Sequence, residues 1–402
     1  MNIDLVRKID LWFGVPLCFL VSVFNRIVIF FRRTRPAPRP IRNILFIKFS
    51  ELGAIILSFP LMARLKREYP DAQFYFLTFK KNQEIFRFME GIIPEKNLYV
   101  IRESPLGFVF DILTAIIRLR HEDMDFIFDL EFFSRISALL TYFIHAPKRI
   151  GFDRYTFEGL YRGSLMTHRV SYNPLLHVTK NFLALCQDIQ KPAKTSPELF
   201  FPTNPKDLVF PRYTPDKEVR ERLLRKLKEQ KKIILWEKVF LINPGEGMLP
   251  LREWPLERFI ELTRLILQDT LACVILVGVD GVAGKADRMV EAVADPRCFS
   301  LTGQTSLEEL LELFSMSHVL ISNDCGLAHI AMLTSLKIIT LFGPESPKIF
   351  GPLTECSHVV YADWPCSPCL SALNHRDSAC RDNMCLKSIT VADILQLIPG
   401  RS

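Results

Sequence analysis

Short apolar runs alternate with longer segments of helical periodicity along most of this chain. In the first half, apolar runs of four or five residues predict buried strands, and apolar positions three and four residues apart predict helices between them. The predicted strands are residues 44–47, 74–77 and 126–130, and the predicted helices are residues 55–69, 111–120 and 134–143. Residues 156–200 have a less regular pattern, and we expect helices and an acceptor-facing edge there.

The second half repeats this alternation after a charged, helical segment at residues 215–232, whose charges predict a solvated face. The predicted strands are residues 239–242, 273–277, 319–321 and 338–342, and the predicted helices are residues 255–268, 286–293, 307–314, 326–333 and 391–398. Strands separated by helices are typical of a parallel sheet with helices on both faces. The sequence therefore predicts an α/β protein.

The length of 402 residues exceeds that of one ordinary hydrophobic core, so we expect two domains. The predicted divisions are an N-terminal arm and linker at 1–42, a first α/β domain at 43–205, a linker and charged helix at 206–238, a second α/β domain at 239–388, and a helix at 389–402 that returns to the first domain. The linker proper is the Pro- and Arg-rich segment 34–40.

The positive charge of the chain is concentrated in the N-terminal arm. Residues 1–42 hold eight Lys and Arg residues and two Asp residues, a net charge of +6, whereas the whole chain carries +7. The remaining residues are therefore almost neutral, and nothing in them indicates a partner of nucleic acid. The arm itself is the candidate for contact with an anionic surface.

This arm is also apolar. Residues 11–24 lack charge, but this stretch contains Gly14 and Pro16, is followed by Arg26, and is shorter than the roughly twenty residues that span a bilayer. No small-residue cleavage site follows it, so a signal peptide is not indicated. We predict an interfacial segment on anionic lipid, with a spanning anchor or a helix packed on the protein surface as the alternatives.

Polar residues gather where one predicted strand ends. Asn323 and Asp324 follow the strand at 319–321, Gly326 opens the next helix, and a Gly-Pro turn ends the strand at 338–342. In open α/β sheets ligands bind at the carboxyl ends of the strands, and free N–H groups at a helix start attract phosphate. An ordinary capped helix is the alternative, but it leaves His329 unexplained.

These residues resemble glycosyltransferase family 9, the bacterial heptosyltransferases. The family pattern is Ser-Asn-Asp-Thr-Gly-x-x-His followed by Leu-Phe-Gly-Pro-Thr-x-Pro, and this chain has matching runs at residues 322–329 and 341–347. The resemblance implies a GT-B fold, in which two Rossmann-like doubly wound domains face each other across a cleft. It implies that the first domain is on the acceptor side and that the second binds a nucleotide-sugar.

A second loop, at residues 243–255, resembles the family loop Pro-Gly-x…Lys-x-Trp-Pro, which cradles the donor diphosphate. Arg252 stands at the position of the family cation, where it would neutralise the charge of the leaving group. A solvated residue at a helix start is the alternative. The donor-binding residues that the resemblance implies are Gly245, Arg252, Asn323, Asp324, Cys325, Gly326 and His329. The segment 302–310 is also family-like, and Ser306 with Glu309 predicts a capping box.

The loop at residues 48–54 resembles the family loop Arg/Lys-x-Ser-x-x-Gly-Asp, with one departure. The family Asp, the base that deprotonates the acceptor hydroxyl, is Ala54 here. Glu51 in the same loop is the first replacement candidate, followed by Asp129 and Glu131, although Glu51 could equally be a surface residue. The acceptor-side residues implied by the resemblance are Ser50, Gly53, Arg135 and His177, with packing as the alternative for the last two.

Four of the ten cysteines form a C-terminal cluster with the spacing C-x2-C-x10-C-x4-C. They are Cys366, Cys369, Cys380 and Cys385. This spacing is compatible with a structural zinc site, with reduced packed thiols, and with disulfides or an iron–sulfur cluster. The other six cysteines are scattered and predict reduced thiols of a cytoplasmic protein.

The resemblance implies an inverting glycosyltransferase that needs no cofactor for catalysis. Its donor would be a nucleotide-diphospho-sugar, with ADP-heptose preferred, and its acceptor a lipid-linked saccharide such as lipopolysaccharide core. The implied location is the cytoplasmic face of the inner membrane, where the arm would bind anionic lipid. Alternatives are another donor or acceptor, as for capsule or O-antigen, or a catalytically degenerate sugar-nucleotide-binding scaffold. A NAD-dependent dehydrogenase is disfavoured because the sequence lacks G-x-G-x-x-G.

Overall fold

A computed structural model describes residues 3–31, 40–49, 51–89, 91–153, 160–187, 189, 204–231, 237–245, 249–374 and 376–398. Ser50 and all of the predicted linker except Pro40 lie outside the described residues. The chain divides into an N-terminal unit, Met1–Pro211, and a C-terminal unit, Arg212–Ser402. The apolar segment predicted as a separate arm is thus part of the N-terminal unit.

The N-terminal unit contains a six-stranded sheet in which every neighbouring pair is parallel. Its strands are β1 (Asn43–Ile47), β2 (Gln73–Phe79), β3 (Leu98–Ile101), β4 (Phe126–Asp129), β5 (Lys148–Asp153) and β6 (His168–Ser171). The spatial order is β3-β2-β1-β4-β5-β6, so the order reverses between β1 and β4. This is the strand order of the Rossmann fold.

Helices cover both faces of this sheet. They are α1 (Ile3–Trp12), α2 (Gly14–Phe31), α3 (Leu52–Glu68), α4 (Pro105–His121), α5 (Arg135–Ile144) and α6 (Val178–Ala184), with 3₁₀ turns at Lys80–Met89, Glu95–Asn97 and Pro205–Asp207. Leu45, Leu77 and Ile127 pack against α4 and α5 on one face. On the other face, Phe46 stacks among Phe74 and Phe128.

The C-terminal unit contains a second parallel six-stranded sheet with the same topology. Its strands are β7 (Lys238–Asn243), β8 (Ala272–Leu276), β9 (Cys298–Ser300), β10 (Val319–Asn323), β11 (Lys337–Phe342) and β12 (Ser357–Tyr361). The order β12-β11-β10-β7-β8-β9 reverses between β7 and β10. The prediction of two Rossmann-like doubly wound domains is therefore confirmed for each unit.

The helices of the C-terminal unit close its core. They are α7 (Lys217–Lys231), α8 (Leu256–Ile266), α9 (Ala283–Val293), α10 (Leu307–Ser315), α11 (Gly326–Ala331), α12 (Pro347–Phe350), α13 (Met384–Lys387) and α14 (Val391–Leu395), with 3₁₀ turns at Pro250–Arg252 and Asp280–Val282. The capping box of Ser306 and Glu309 at the start of α10 is confirmed.

Two helices of the C-terminal unit make contacts that the sequence did not predict. The charged helix α7 packs on α10 and pairs Arg220 with Glu312 and Lys226 with Glu309. The last helix, α14, packs on α8 within the C-terminal unit, where Ile394 is fully buried. Its apolar side completes the core around β7 and β8.

The N-terminal helices are attached to their unit by one polar, small-residue face. The Asp10 carboxylate pairs with the buried Arg135 guanidinium at 2.7 Å and also accepts the Arg135 backbone N–H at 3.0 Å. One and two turns later, Gly14 lies against the Arg135 side chain and Cys18 is fully buried beside Ala138. Lys8–Val28 is the one described helical stretch long and apolar enough to cross a membrane, with a mean hydropathy of 1.8.

Candidate functional site

The switch in strand order of the C-terminal unit brings two polar strand ends together. β7 ends at Asn243 and the neighbouring β10 ends at Asn323, and helices leave the two strands toward opposite faces of the sheet. Such a switch opens a crevice beyond the carboxyl ends of the strands, which is where open α/β sheets bind ligands. The two motif loops of the sequence therefore meet at one edge of this unit.

Both asparagines fix the loops that follow them. The Asn323 side-chain oxygen accepts the Trp254 backbone N–H at 2.9 Å, which ties the 249–255 loop to the end of β10. The Asn243 side-chain amide donates to Cys325 Sγ at 3.2 Å, and its oxygen accepts the Gly245 N–H at 3.4 Å. Residues 246–248 of the first loop lie outside the described part.

Arg252 lies in this crevice between two carboxylates. Its Nη1 is 3.4 Å from Asp324 Oδ2 and 3.5 Å from Glu345 Oε1, and the residue is buried. Glu345 in turn pairs with Arg376 Nε at 2.7 Å. Two guanidinium groups and two carboxylates thus alternate, which balances their charges and holds the Arg252 guanidinium at the strand ends. A dianionic ligand entering here meets a positioned cation.

Residues far along the chain hold the Arg252 loop from behind. Trp254 is buried against Phe259, and its indole N–H donates to the Ile389 carbonyl at 3.0 Å. The Asn383 side-chain amide donates to the carbonyls of Leu251 at 3.1 Å and Glu253 at 2.8 Å. One ring contact and three hydrogen bonds therefore hold this loop, which restricts the positions that Arg252 can take.

The remaining predicted donor residues lie around the same strand ends. Gly326 begins α11 directly after Cys325, and His329 is buried in that helix. Gly245 leaves no room for a side chain, because an added Cβ would lie 2.7 Å from Val282 Cγ1. Of the seven predicted residues, all are described, and the backbone topology brings them to one edge of the sheet.

The loop with the candidate base follows β1, at the reversal of strand order in the N-terminal unit. Glu51 lies between β1 and α3 with a φ of 62° and a ψ of 100°, a left-handed conformation that is unusual for a residue with a side chain. Its carbonyl accepts the Ala54 N–H at 2.9 Å. Such backbone strain clusters at functional sites. Gly53 and Ala54 are buried in the first turn of α3.

The two reserve candidates for the base are engaged in buried ion pairs. Glu131 accepts from Lys48 Nζ at 2.8 Å and from the Phe49 N–H at 2.7 Å. Asp129 pairs with the buried Arg162 and accepts the Ser137 hydroxyl at 2.9 Å. Burial raises the pKa of Asp129 even though Arg162 lowers it. These contacts brace the ends of β1 and β4.

Two predicted acceptor-side residues have structural partners. Arg135 pairs with Asp10 and also donates from Nε to the Tyr161 carbonyl at 2.9 Å. His177 precedes α6, and its Nδ1 accepts the Thr179 N–H at 3.2 Å. Arg135 therefore attaches the N-terminal helices, and His177 caps a helix. Their predicted roles toward an acceptor stay predictions.

Comparison with known sequences decides the family. A sequence profile described as glycosyltransferase family 9 (heptosyltransferase) matches residues 113–379, well over half of the chain. The chain belongs to glycosyltransferase family 9. The resemblance read from the strand-end motifs is thereby confirmed.

Relatives within glycosyltransferase family 9 match parts of the chain. The lipopolysaccharide heptosyltransferase 2 of Salmonella typhimurium is 24% identical over 229 residues, which is 56% of this chain and 61% of the relative. The lipooligosaccharide heptosyltransferase 2 of Haemophilus influenzae is 26% identical over 140 residues, 34% of this chain and 40% of the relative. The chain thus spans less than two thirds of the length of these two relatives.

A solved heptosyltransferase structure has a similar fold. The structure of the E. coli ADP-heptose lps heptosyltransferase II superposes with a TM-score of 0.65 at 21% identity, covering 88% of this chain and 96% of that one. The predicted GT-B fold class is confirmed by this match and by the two sheets.

Two site residues were missed by the sequence reasoning. Glu345 occupies the position at which the glycosyltransferase family 9 pattern has Thr, and that departure was the available signal. Arg376, its partner, lies in the loop between Cys369 and Cys380, where no pattern marked it. Together they place a second carboxylate and a second cation next to Arg252, so the charge balance of this site differs from that implied by the family pattern.

The loop of four cysteines packs on the same turn. The N–H groups of Cys369 and Leu370 both donate to the Pro344 carbonyl at 2.9 Å. The thiol of Cys385 lies close to Gly343, and burial, followed by the charges of Cys369, Cys366 and Cys380, raises its pKa. No group of three or more His, Cys, Asp or Glu side chains in the described part of the chain is arranged to hold a metal ion.

Proposed function

We propose that this chain is an inverting glycosyltransferase that transfers heptose from ADP-heptose to a lipid-linked saccharide such as lipopolysaccharide core. The observation that carries the proposal is the position of Arg252 and Asp324 at the strand-order switch of the C-terminal unit. A held cation suits a diphosphate, and a carboxylate suits sugar hydroxyls. The similar E. coli protein is described as an ADP-heptose lps heptosyltransferase, which supports this choice of donor.

In the proposed reaction, the acceptor hydroxyl oxygen attacks the anomeric carbon of the donor sugar. Glu51 takes the hydroxyl proton, and the bond between the anomeric carbon and the diphosphate oxygen breaks. The diphosphate leaves with the electron pair, and Arg252 stabilises its charge. Asp324 holds sugar hydroxyls, and Gly245 and Gly326 let the backbone approach the phosphates closely. No step needs a metal ion.

Ala54 at the family position of the base favours a second candidate function, that of a sugar-nucleotide-binding scaffold without turnover. At the family position of the base this chain has a methyl group, which cannot accept a proton. Transfer of another sugar, or transfer to a capsule or O-antigen acceptor, is the alternative among enzymes. All three candidates share the donor site, and they differ in turnover and in the substrates used.

The proposed function is tested first by thermal shift with a set of nucleotide-diphospho-sugars and then by transfer assays. ADP-heptose is expected to raise the melting temperature most, and transfer to a heptose-deficient lipopolysaccharide core is expected to release ADP. Binding of ADP-heptose without transfer to any acceptor would favour the scaffold. A rise in melting temperature with another nucleotide-sugar but not with ADP-heptose would contradict the choice of heptose.

We propose that the N-terminal helices bind the anionic surface of the cytoplasmic leaflet. Their outer faces carry exposed large apolar side chains, including Trp12, Phe13, Leu20 and Phe24. Because the face with Asp10 is packed on α5, only the outer side is available to lipid. Partial insertion parallel to the surface fits this one-sided exposure, and an enzyme that acts on a lipid gains effective concentration from it.

We further propose that Cys366, Cys369, Cys380 and Cys385 hold a structural zinc ion. The C-x2-C-x10-C-x4-C spacing of the four thiols supports this proposal. Because the described side chains are not arranged as a metal site, the ion would have to draw the thiols together. The metal would stabilise the loop that supports Glu345 through Arg376, and it would take no part in transfer.

Purified protein is then expected to contain about one zinc ion per chain by mass spectrometry, in line with four-thiolate structural sites. Cys366→Ser is expected to lose the metal and to lower the melting temperature, because the loop loses a cross-link. Cys356→Ser, outside the cluster, is the matched control and should keep the zinc ion and the wild-type melting temperature. Folded protein without zinc or iron, in which Cys366→Ser melts normally, would favour reduced thiols.

A further inference from the structure

Helix α4 is apolar around nearly its whole circumference, which is unusual for a helix on the outside of a domain. Its inner side packs into the core through the buried Ala115 and Leu119, with Phe108, Ile112 and Ile116 beside them. A helix that is apolar all round is normally covered on all sides. In the described part of the chain, however, nothing covers the outer side of α4.

Five large apolar side chains form a stripe along this outer side. They are 56% to 87% exposed and consist of Leu106, Val109, Phe110, Leu113 and Ile117. Their spacing of three, one, three and four residues places them on one face of the helix, since successive residues are rotated by about 100°. A contiguous apolar patch of this kind marks an interaction surface more often than isolated exposed residues do.

The stripe belongs to the same layer of helices as α2. Helix α5 packs against α4 on one side and against α1 and α2 on the other. Phe143, on α5 between them, is itself 40% exposed. The exposed side of α4 is therefore continuous, across α5, with the exposed side of α2. Helix α2 belongs to the stretch Lys8–Val28, which is apolar enough to cross a membrane.

The charges around the stripe suit a lipid surface. Arg120 follows Ile117 by three residues, is exposed, and so lies at the carboxyl end of the same helix face, next to the exposed Arg118. The one acidic residue within α4, Asp111, is paired with Arg102 through contacts of 2.8 and 2.9 Å. Apolar side chains with flanking arginines match the acyl and head-group regions of an anionic membrane.

From this arrangement we infer that the outer stripe of α4 inserts into the bilayer together with α2, so that the N-terminal unit binds the membrane through two helices. The inference rests on the proposal that α2 contacts lipid, and it adds a second, separate contact. The occupant is an anionic bilayer because the stripe is continuous with α2 and ends in arginine. A second copy of the chain would be the competing occupant.

Vesicle co-sedimentation of the full chain separates the two contacts. The probe is a vesicle of phosphatidylethanolamine and phosphatidylglycerol, compared with phosphatidylcholine alone. Phe110→Glu with Leu113→Glu is expected to lower the partition coefficient at least tenfold, since burial of one large apolar side chain is worth about that much or more. Leu20→Glu with Phe24→Glu in α2 should have an effect of similar size.

Leu271→Glu with Val279→Glu is the matched control, because both residues are exposed apolar residues of the C-terminal unit. This variant should bind vesicles as the wild type does. All the variants should keep the wild-type melting temperature, since the replaced side chains are solvent-exposed.

Unchanged binding of the α4 variant beside lost binding of the α2 variant would overturn the inference and leave the α2 contact standing. Unchanged binding of both variants would overturn the two proposals together. Light scattering without vesicles tests the competing occupant. A wild-type dimer that becomes a monomer in the α4 variant would assign the stripe to a second copy and would also overturn the inference.

Discussion

Glu51→Gln is expected to lower the turnover number by about a hundred- to ten-thousand-fold, the usual worth of a general base. The amide keeps the size of the side chain and the strained backbone at φ 62° but cannot take the acceptor proton. Donor affinity should change little, because the donor residues lie in the other unit. The measurement is the initial rate of ADP release at saturating donor and acceptor, with donor binding measured separately.

Glu68→Gln, at the exposed far end of the same helix α3, is the matched control and should keep full activity. Ala54→Asp in the Glu51→Gln background should recover part of the rate, because it restores the family carboxylate one turn away. Full activity of Glu51→Gln would show that the base lies elsewhere. If the wild type is inactive and Ala54→Asp alone is active, the chain is a degenerate transferase that binds its ligand.

Arg252→Ala is expected to reduce kcat/KM for the donor by about a hundred- to a thousandfold, comparable with the loss of one preorganised donor to a developing anion. The variant removes the cation and leaves Asp324 and Glu345 with Arg376 alone, so the site becomes net negative toward a diphosphate. Arg252→Lys should retain part of the affinity as a point charge but lose the planar guanidinium that can bind a phosphate through two N–H groups. Steady-state kinetics and calorimetry with ADP measure these effects.

Arg264→Ala, an exposed arginine on α8, is the control for loss of a positive charge in the same unit. Adding Glu345→Gln to Arg252→Ala restores the charge balance and should recover part of the ADP affinity, which makes the coupling measurable in a double-mutant cycle. Equal ADP affinity in the wild type and Arg252→Ala would place the donor diphosphate elsewhere.

The sequence predicted best those elements whose signal is local. β1, β7, β10 and β11 are buried on both faces, so they appear as continuous apolar runs. The strands β3, β5, β6, β9 and β12 were not predicted. Of these, β3 and β6 have four residues each and lie at sheet edges, where burial is partial. Helix starts were displaced where, as at α3 and α4, no side-chain cap marks them.

The meeting of the predicted donor residues at one edge could be anticipated because their motifs lie at or after strand ends, and parallel strands end at one edge. The partners of those residues could not, because they depend on contacts between distant parts of the chain. Arg252 and Arg376 meet at Glu345 although they are far apart in sequence. The buried partner of Arg135 likewise came from the N-terminal apolar segment, for which a helix packed on the protein surface was one alternative but no partner residue could be named.

The pairing of Asp10 with Arg135 has a consequence for synthesis of the protein. The two residues are 125 positions apart, so the ribosome needs about 6–25 s after Asp10 to deliver its partner. Throughout that interval the nascent N-terminal helix exposes its entire apolar surface, including the face that is later buried. Chaperones or the membrane itself therefore have several seconds to capture it before folding hides that face, and the order of capture and folding becomes a kinetic competition.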